Sequence, residues 1–229
     1  MDFLKLAKKR YACRKYLSRQ VEPEKLELIL EAGRVAPTGA NRQPQRLVVV
    51  QSKEGMERLA RCTRDFGAPT AVIVCADTSE AWTRKYDGKN ISDIDASIVT
   101  DHMMLAAASL NLDTLWICMF KPEAVREEFA LPANVEPVNI LLIGYGDGPA
   151  ADPNRHDTLR KPLSATVFHE RFWDKKEDRR SILFFYHYFA YRRKVVRHDS
   201  PGSMARNPSA AGSAALGAFV VHVCGSGQQ

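Results

Sequence analysis

The sequence predicts an α/β layered domain followed by a C-terminal extension of different character. Three observations carry this. Segments with helical apolar spacing alternate with short β-branched runs, the pattern of helices packed on a sheet. Up to Asp174 the charge is balanced, with 24 Lys+Arg against 24 Asp+Glu, so the whole formal excess of +6 lies beyond that point. From Asp199 on, Gly, Ser and Ala supply 16 of the last 31 residues, a linker-like composition without periodicity. The expected organisation is therefore one domain over 1–174 and a basic, low-complexity extension over 175–229.

Phe3, Leu6 and Ala7 mark one stripe of a first helix, 3–9. A second helix spans 23–32, with Pro23 at its first position, Leu26, Ile29 and Leu30 on its buried face and Gly33 as the expected C-cap. The loop VAPTGANRQPQ leads to a short strand at 47–50. A helix at 53–62 and an apolar strand at 72–76 follow. Residues 77–92 are polar apart from Trp82 and Tyr86 and read as a mobile segment. Ser92 and Asp93 are candidate caps for a long helix, 94–110, that is apolar over most of its circumference. Such a helix is expected to be buried nearly all round, either as a central core helix or packed against a second subunit. Strands at 114–119 and 138–145 flank a short helix at 122–129. Beyond these the sequence is loop-like to Leu163, with a last short strand expected at 166–168. The extension opens with the charge run KKEDRR and holds an aromatic run, ILFFYHYFAY at 182–191, as a candidate docked helix.

The neutral body argues against a nucleic-acid partner, because phosphate neutralisation needs a basic face. No apolar run approaches the ~18 residues of a membrane span. The opening MDFLKLAKKR lacks the apolar core of a secretory signal. Five scattered cysteines, with no CxxC and no Cys/His pair at zinc spacing, imply reduced thiols in the cytoplasm and no metal site.

No GxxxxGK[ST], HExxH or GxSxG motif is present. GYGDG at 144–148 follows a strand, but Pro149 and AADPNRHD offer no helix N-terminus to receive a pyrophosphate. His102, on the long helix, reads as a satisfied structural histidine. Asp95 and Asp101 read as first-turn charges or buried acceptors rather than a catalytic pair. No side chain is assigned a catalytic role.

Three stretches offer cations or open backbone to a planar anionic ligand. In RYACR (10–14), two arginines four apart would share a side if the first helix continued. Guanidinium forks match phosphate oxygens. APTGANRQP (36–44) combines glycine, a hydroxyl and amides that bond ring heteroatoms. Arg160-Lys161-Pro162-Leu163 is again basic.

In this order these stretches resemble the nitroreductase family of FMN-dependent oxidoreductases. The buried segment IDASIVTDHMMLAAASLNLDTLWICMF and the strand LPANVEPVNILLIGY extend the resemblance across about residues 3–173. It implies a central mixed sheet flanked by helices, and a homodimer with FMN at the subunit interface. Arg10, Tyr11, Ala12 and Arg14 would meet the phosphate, ribityl and pyrimidine side. Arg160 and Lys161 would add charge at the phosphate. Pro37, Thr38, Gly39, Asn41 and Gln43 would come from the other subunit, and Trp116 and Ile117 would lie along the ring mainly through backbone. The chain departs from the family pattern at Ala12 and Thr38, each in place of serine, at Gln45 in place of tryptophan, and at Asn111 in place of glycine.

The implied reaction passes hydride from NADH or NADPH through the flavin to a nitroaromatic, quinone or similar acceptor, by a ping-pong scheme in which the cofactor carries the chemistry. The 77–92 segment is a candidate substrate cover. A specialised flavin reaction such as reductive dehalogenation is one alternative. A non-enzymatic flavin-binding or interaction protein, working through its basic tail, is another.

Overall fold

The computed structural model of the protein describes residues 2–172. The expectations for 175–229, including the helix at 182–191, lie outside the described residues. The chain divides into two units after Thr166, and of the second unit Val167–Phe172 are described. There the Phe168 and Phe172 rings stand 4.3 Å apart.

In the first unit the elements run α1 (Phe3–Lys9), α2 (Pro23–Arg34), β1 (Gln45–Val50), α3 (Lys53–Cys62), β2 (Thr70–Asp77), α4 (Ser92–Ser109), β3 (Asp113–Ile117), α5 (Pro122–Glu128), β4 (Val135–Gly144), α6 (His156–Leu159) and α7 (Leu163–Thr166). The four strands form one sheet in the order β1-β2-β4-β3, each pair antiparallel. The sheet is thus antiparallel rather than mixed among the described residues, and the segment after α1 meets β3 through an isolated parallel bridge, Ala12 to Thr114.

Both faces of the sheet are covered, which is why β2 (TAVIVCAD) reads as a continuous run and is buried at every residue. Ala71, Ile73, Cys75, Ile140 and Leu142 pack with Leu59 of α3 and Val125 of α5. Their neighbours Val72, Val74, Leu141 and Ile143 pack with Ile29 of α2 and Val99 and Met103 of α4. Pro137, which has no N–H for the ladder, sits where the β2–β4 register shifts between Val74 and Cys75.

Four further expectations are corrected. Gly33 does not end α2, which continues to Arg34. A Cβ there would stand 2.9 Å from Met103 Cγ and 3.3 Å from Val99 Cγ1, so the glycine lets α2 and α4 approach closely. Residues 77–92 hold a built turn rather than a loose segment. Thr83 bridges Asn90, Arg84 N–H donates to the Lys89 carbonyl at 2.9 Å, and Arg84 pairs with Asp87. α4 is not a core helix covered all round by its own protomer: Ile94 is 45% exposed, and Ser97, Ile98, Asp101 and Leu105 are half-buried along the same stripe. Residues 166–168 form no strand. Pro162 opens the turn α7 instead, its carbonyl accepting from Ala165 N–H at 2.9 Å, and no strand pairs with 166–168 among the described residues.

Candidate functional site

The first part of the site begins where α1 stops. Arg10 is its C-cap, with ψ 133°, so the chain leaves the helix extended. Cys13 is buried and Ala12 and Arg14 are exposed, the alternation of an extended segment. The continued helix that would place Arg10 and Arg14 on one side is therefore absent. Extended geometry nevertheless gives residues two apart a common face, so Arg10, Ala12 and Arg14 still share one.

Arg10 is partly buried, and Arg155 and Arg160 lie within its field. Burial, then Arg155, then Arg160 push its pKa below the ordinary arginine value, and only Asp101 of α4 opposes them. None of the three arginines joins an ion pair among the described residues. Arg155 directs its Nη donors at the Lys8, Arg10 and Asp152 carbonyls, so it adds positive field, and Arg10 and Arg160 are the guanidiniums left to meet an anion. Beside them is a cleft of about 210 Å³ lined by Lys9, Arg10, Tyr11, Asn111, Asp113 and Thr114, with Asp113 Oδ2 accepting the Gly146 N–H at 3.0 Å. The Thr114 hydroxyl there is buried without a hydrogen-bond partner among the described residues. Arg14 stands outside the trio, its Nη1 3.5 Å from the Ala12 carbonyl. Lys161 is exposed beside Arg160.

The second part is the 37–43 loop. Thr38 Oγ1 accepts the Gln43 N–H at 3.1 Å, and Gln43 Nε2 donates to the Asn41 carbonyl at 3.2 Å. Ala40, Asn41 and Gln43 all take positive φ, at 48°, 54° and 52°, so this backbone is held under strain. The holding contact is Asp95 at the start of α4, whose Oδ1 accepts the Gly39 N–H at 2.9 Å. Pro37 and Asn41 are exposed.

The third part is an open groove of about 570 Å³ lined by Asp93, Ile94, Ser97, Ile98, Asp101 and Trp116. Trp116 Nε1 is buried with no partner. Ile117, one residue on, points its side chain into the opposite core, so only its backbone is available here.

The loop is anchored at Asp95, Arg10 lies in the field of Asp101 about 9 Å further along α4 at 1.5 Å per residue, and the arginine cleft reaches on to Ala108.

The Nitroreductase family model matches residues 7–66 and 61–145. The chain belongs to the nitroreductase family. A relative from Methanothermobacter thermautotrophicus, named "Putative NADH dehydrogenase/NAD(P)H nitroreductase", is 32% identical over 166 residues, covering 69% of this chain and 82% of its own. The "FMN reductase [NAD(P)H]" of Bacillus subtilis is 27% identical over 184 residues, 72% of each chain. Among solved structures, a nitroreductase family protein of Clostridium difficile 630 is 53% identical, with a TM-score of 0.74, covering 75% of this chain and 100% of its own. An FMN-dependent nitroreductase of Clostridium difficile R20291 is 27% identical, with a TM-score of 0.61, covering 74% and 99%.

In this nitroreductase-family chain, sequence reasoning missed Arg155 and the anchoring role of Asp95. Arg155 sits in ADPNRHD, which carries no apolar periodicity. The Asp-Pro pair at 152–153 was its one signal, since it starts the helical turn that presents the arginine. Asp95 is legible only as a first-turn acid, because its partner is 56 residues away in sequence. His102 is satisfied as expected, its Nδ1 2.9 Å from the Ile98 carbonyl.

Proposed function

We propose that this protein is a homodimeric, FMN-dependent oxidoreductase that takes hydride from NADH or NADPH and delivers it to a nitroaromatic, quinone or similar acceptor in a ping-pong cycle. The observation that carries the reading is that Arg10 lies beside a cleft and within the positive field of Arg155 and Arg160, with none of the three in an ion pair among the described residues. Such a cluster fits the phosphate of FMN. The unpartnered Thr114 hydroxyl and Trp116 indole N–H add polar atoms that a bound heterocycle and its ribityl chain would satisfy. The names of the Bacillus subtilis relative and of the Clostridium difficile R20291 structure support the same cofactor.

When bound, FMN supplies the capacity to accept hydride from a nicotinamide donor and to pass electrons to a second substrate. The chain's own residues bind and orient it. Arg10, with Arg160 and Lys161, holds the phosphate, and Arg14 and the backbone at Tyr11 and Ala12 line the approach to it. Pro37, Thr38, Gly39, Asn41 and Gln43 reach the ring of the partner's cofactor, and Trp116 and Ile117 border the ring through their backbone. The largely apolar stripe that α4 leaves uncovered in one protomer supports the dimer. No helix among the described residues is long and apolar enough to cross a membrane. Cys13, Cys62, Cys75 and Cys118 are free thiols, which suits a reducing cytoplasm.

The test is an anaerobic titration of the purified protein with NADH and with NADPH, followed by a panel of acceptors. A yellow protein that bleaches with either donor and recovers with an acceptor is expected. A colourless protein that takes up no added FMN refutes the reading. A yellow protein that never bleaches marks a flavin binder rather than an enzyme.

A further inference from the structure

We propose that Arg155 is a positioning residue for the flavin phosphate, acting through the backbone of Arg10; the inference rests on the FMN reading above. One face of its guanidinium bridges two carbonyls on either side of the α1 C-terminus. Nη1 donates to the Lys8 carbonyl at 3.1 Å and Nη2 donates to the Arg10 carbonyl at 2.6 Å. Nη1 also donates to the Asp152 carbonyl at 2.8 Å, tying the bridge to its own turn. His156, the next residue, places Nε2 3.2 Å from the same Lys8 carbonyl.

These carbonyls are where a clamp has most effect. A helix leaves its last carbonyls without intrahelical partners, and α1 is only seven residues long with no buried residue to hold it. Its exit is fixed instead from outside, by one rigid fork from a segment about 145 residues away. Fixing the Arg10 carbonyl fixes the plane of the next peptide, and with the Arg10 N–H held on the Leu6 carbonyl at 3.1 Å it fixes the direction in which the Arg10 side chain leaves the backbone. A planar fork spans two acceptors in a way that a lysine ammonium, a point charge on a flexible stem, does not reproduce. All the donors just named are spent on uncharged carbonyls, so the guanidinium charge is not neutralised by them. It adds to the field of Arg10 and Arg160 while the bridge does the aiming.

The test separates aiming from charge. Kd values for FMN and for riboflavin, which lacks the phosphate, are measured by fluorescence quenching for the wild type, Arg155→Lys and Arg155→Met, with circular dichroism confirming the fold of each apoprotein. The expected result is a wild type that prefers FMN and a loss of about tenfold in that preference in both variants, the size of one charge-assisted contact. In an Arg10→Ala background, Arg155→Lys is expected to change the preference by less than about twofold, because the residue it aims is gone. If Arg155→Lys keeps the full preference and only Arg155→Met loses it, the residue acts by charge and the positioning role is overturned. An unchanged preference in both overturns it as well. A wild type that binds riboflavin as tightly as FMN refutes the phosphate site itself, a different failure from the other two.

Discussion

Arg10 is the residue on which the site depends most. It is the member of the arginine trio whose burial, Arg155 and Arg160 all act to destabilise its charge, with Asp101 the opposing influence. An anion arriving there relieves that cost, so its affinity is linked to Arg10 more than to exposed Lys161. Replacing Arg10 with Ala removes a contact of ~1.5–3 kcal/mol. The expected outcome is an FMN Kd raised at least about tenfold, read by fluorescence quenching. Lys161→Ala is expected to move the same Kd less, because exposed charges are screened. Ala12, in the serine position of the family pattern, offers no hydroxyl here, which leaves more of the phosphate binding to the guanidiniums.

At the scale of elements, two junctions hold α2 in place. The first is its crossing with α4 at Gly33. Met103 is fully buried there, so an added methyl has little room to displace it. Gly33→Ala is expected to cost about 1–3 kcal/mol by overpacking, despite the better helix propensity of alanine, and urea unfolding would measure it. The second is the lock between the start of α2 and the end of β4. Tyr145 Oη donates to Glu22 Oε2 at 2.6 Å and accepts from Lys25 Nζ at 2.7 Å, while Arg19 lies over the Tyr145 ring at 4.1 Å. The Tyr145 hydrogen bond, with help from the Glu22 backbone N–H, Arg19 and Lys25, lowers the Glu22 carboxyl to about 2. Its unfolded value is about 4.3. The lock therefore contributes stability above about pH 4.3 and loses it as pH falls through about 2. Glu22→Gln should lower Tm near neutrality, and the difference from wild type should vanish near pH 2, as thermal melts across that range would show.

The whole molecule is where the proposed dimer belongs. The groove lined by Ile94, Ser97, Ile98, Asp101 and Trp116 is open and largely apolar, and it is the face on which the proposed dimer would close. Ile98→Lys places a charge in the middle of it. The expected outcome is a monomer by light scattering at micromolar concentration, with flavin lost at the same time. A monomeric wild type that keeps its flavin would refute the shared site. The extension makes a second prediction at this scale. The segments matched by the family model end at Tyr145, and the proposed cofactor residues end at Lys161. Truncation after Asp174 is therefore expected to leave FMN affinity and NAD(P)H oxidation within about twofold, which is only ~0.4 kcal/mol. A colourless truncated protein would place the extension inside the site.

The sequence by itself determined the α/β class, the approximate position of each sheet strand among the described residues, and the segments from which the proposed site is drawn. Those properties rest on local signals. β-branched runs mark β1 to β4, Pro23 and Pro122 start helices at their first positions, and the stretches RYACR and APTGANRQP carry distinctive residue types. The tertiary structure decided what depends on partners distant in the chain. Gly33 looks like a cap until Met103, seventy residues on, is seen against it. Residues 166–168 carry strand-forming types but pair with no strand among the described residues. Arg155 lies in a stretch without periodicity, and its role exists only because α1 ends beside it. The physical reason is the same in each case: propensity and period are properties of neighbours in sequence, while a close approach, a ladder partner or a guanidinium bridge is a property of neighbours in space.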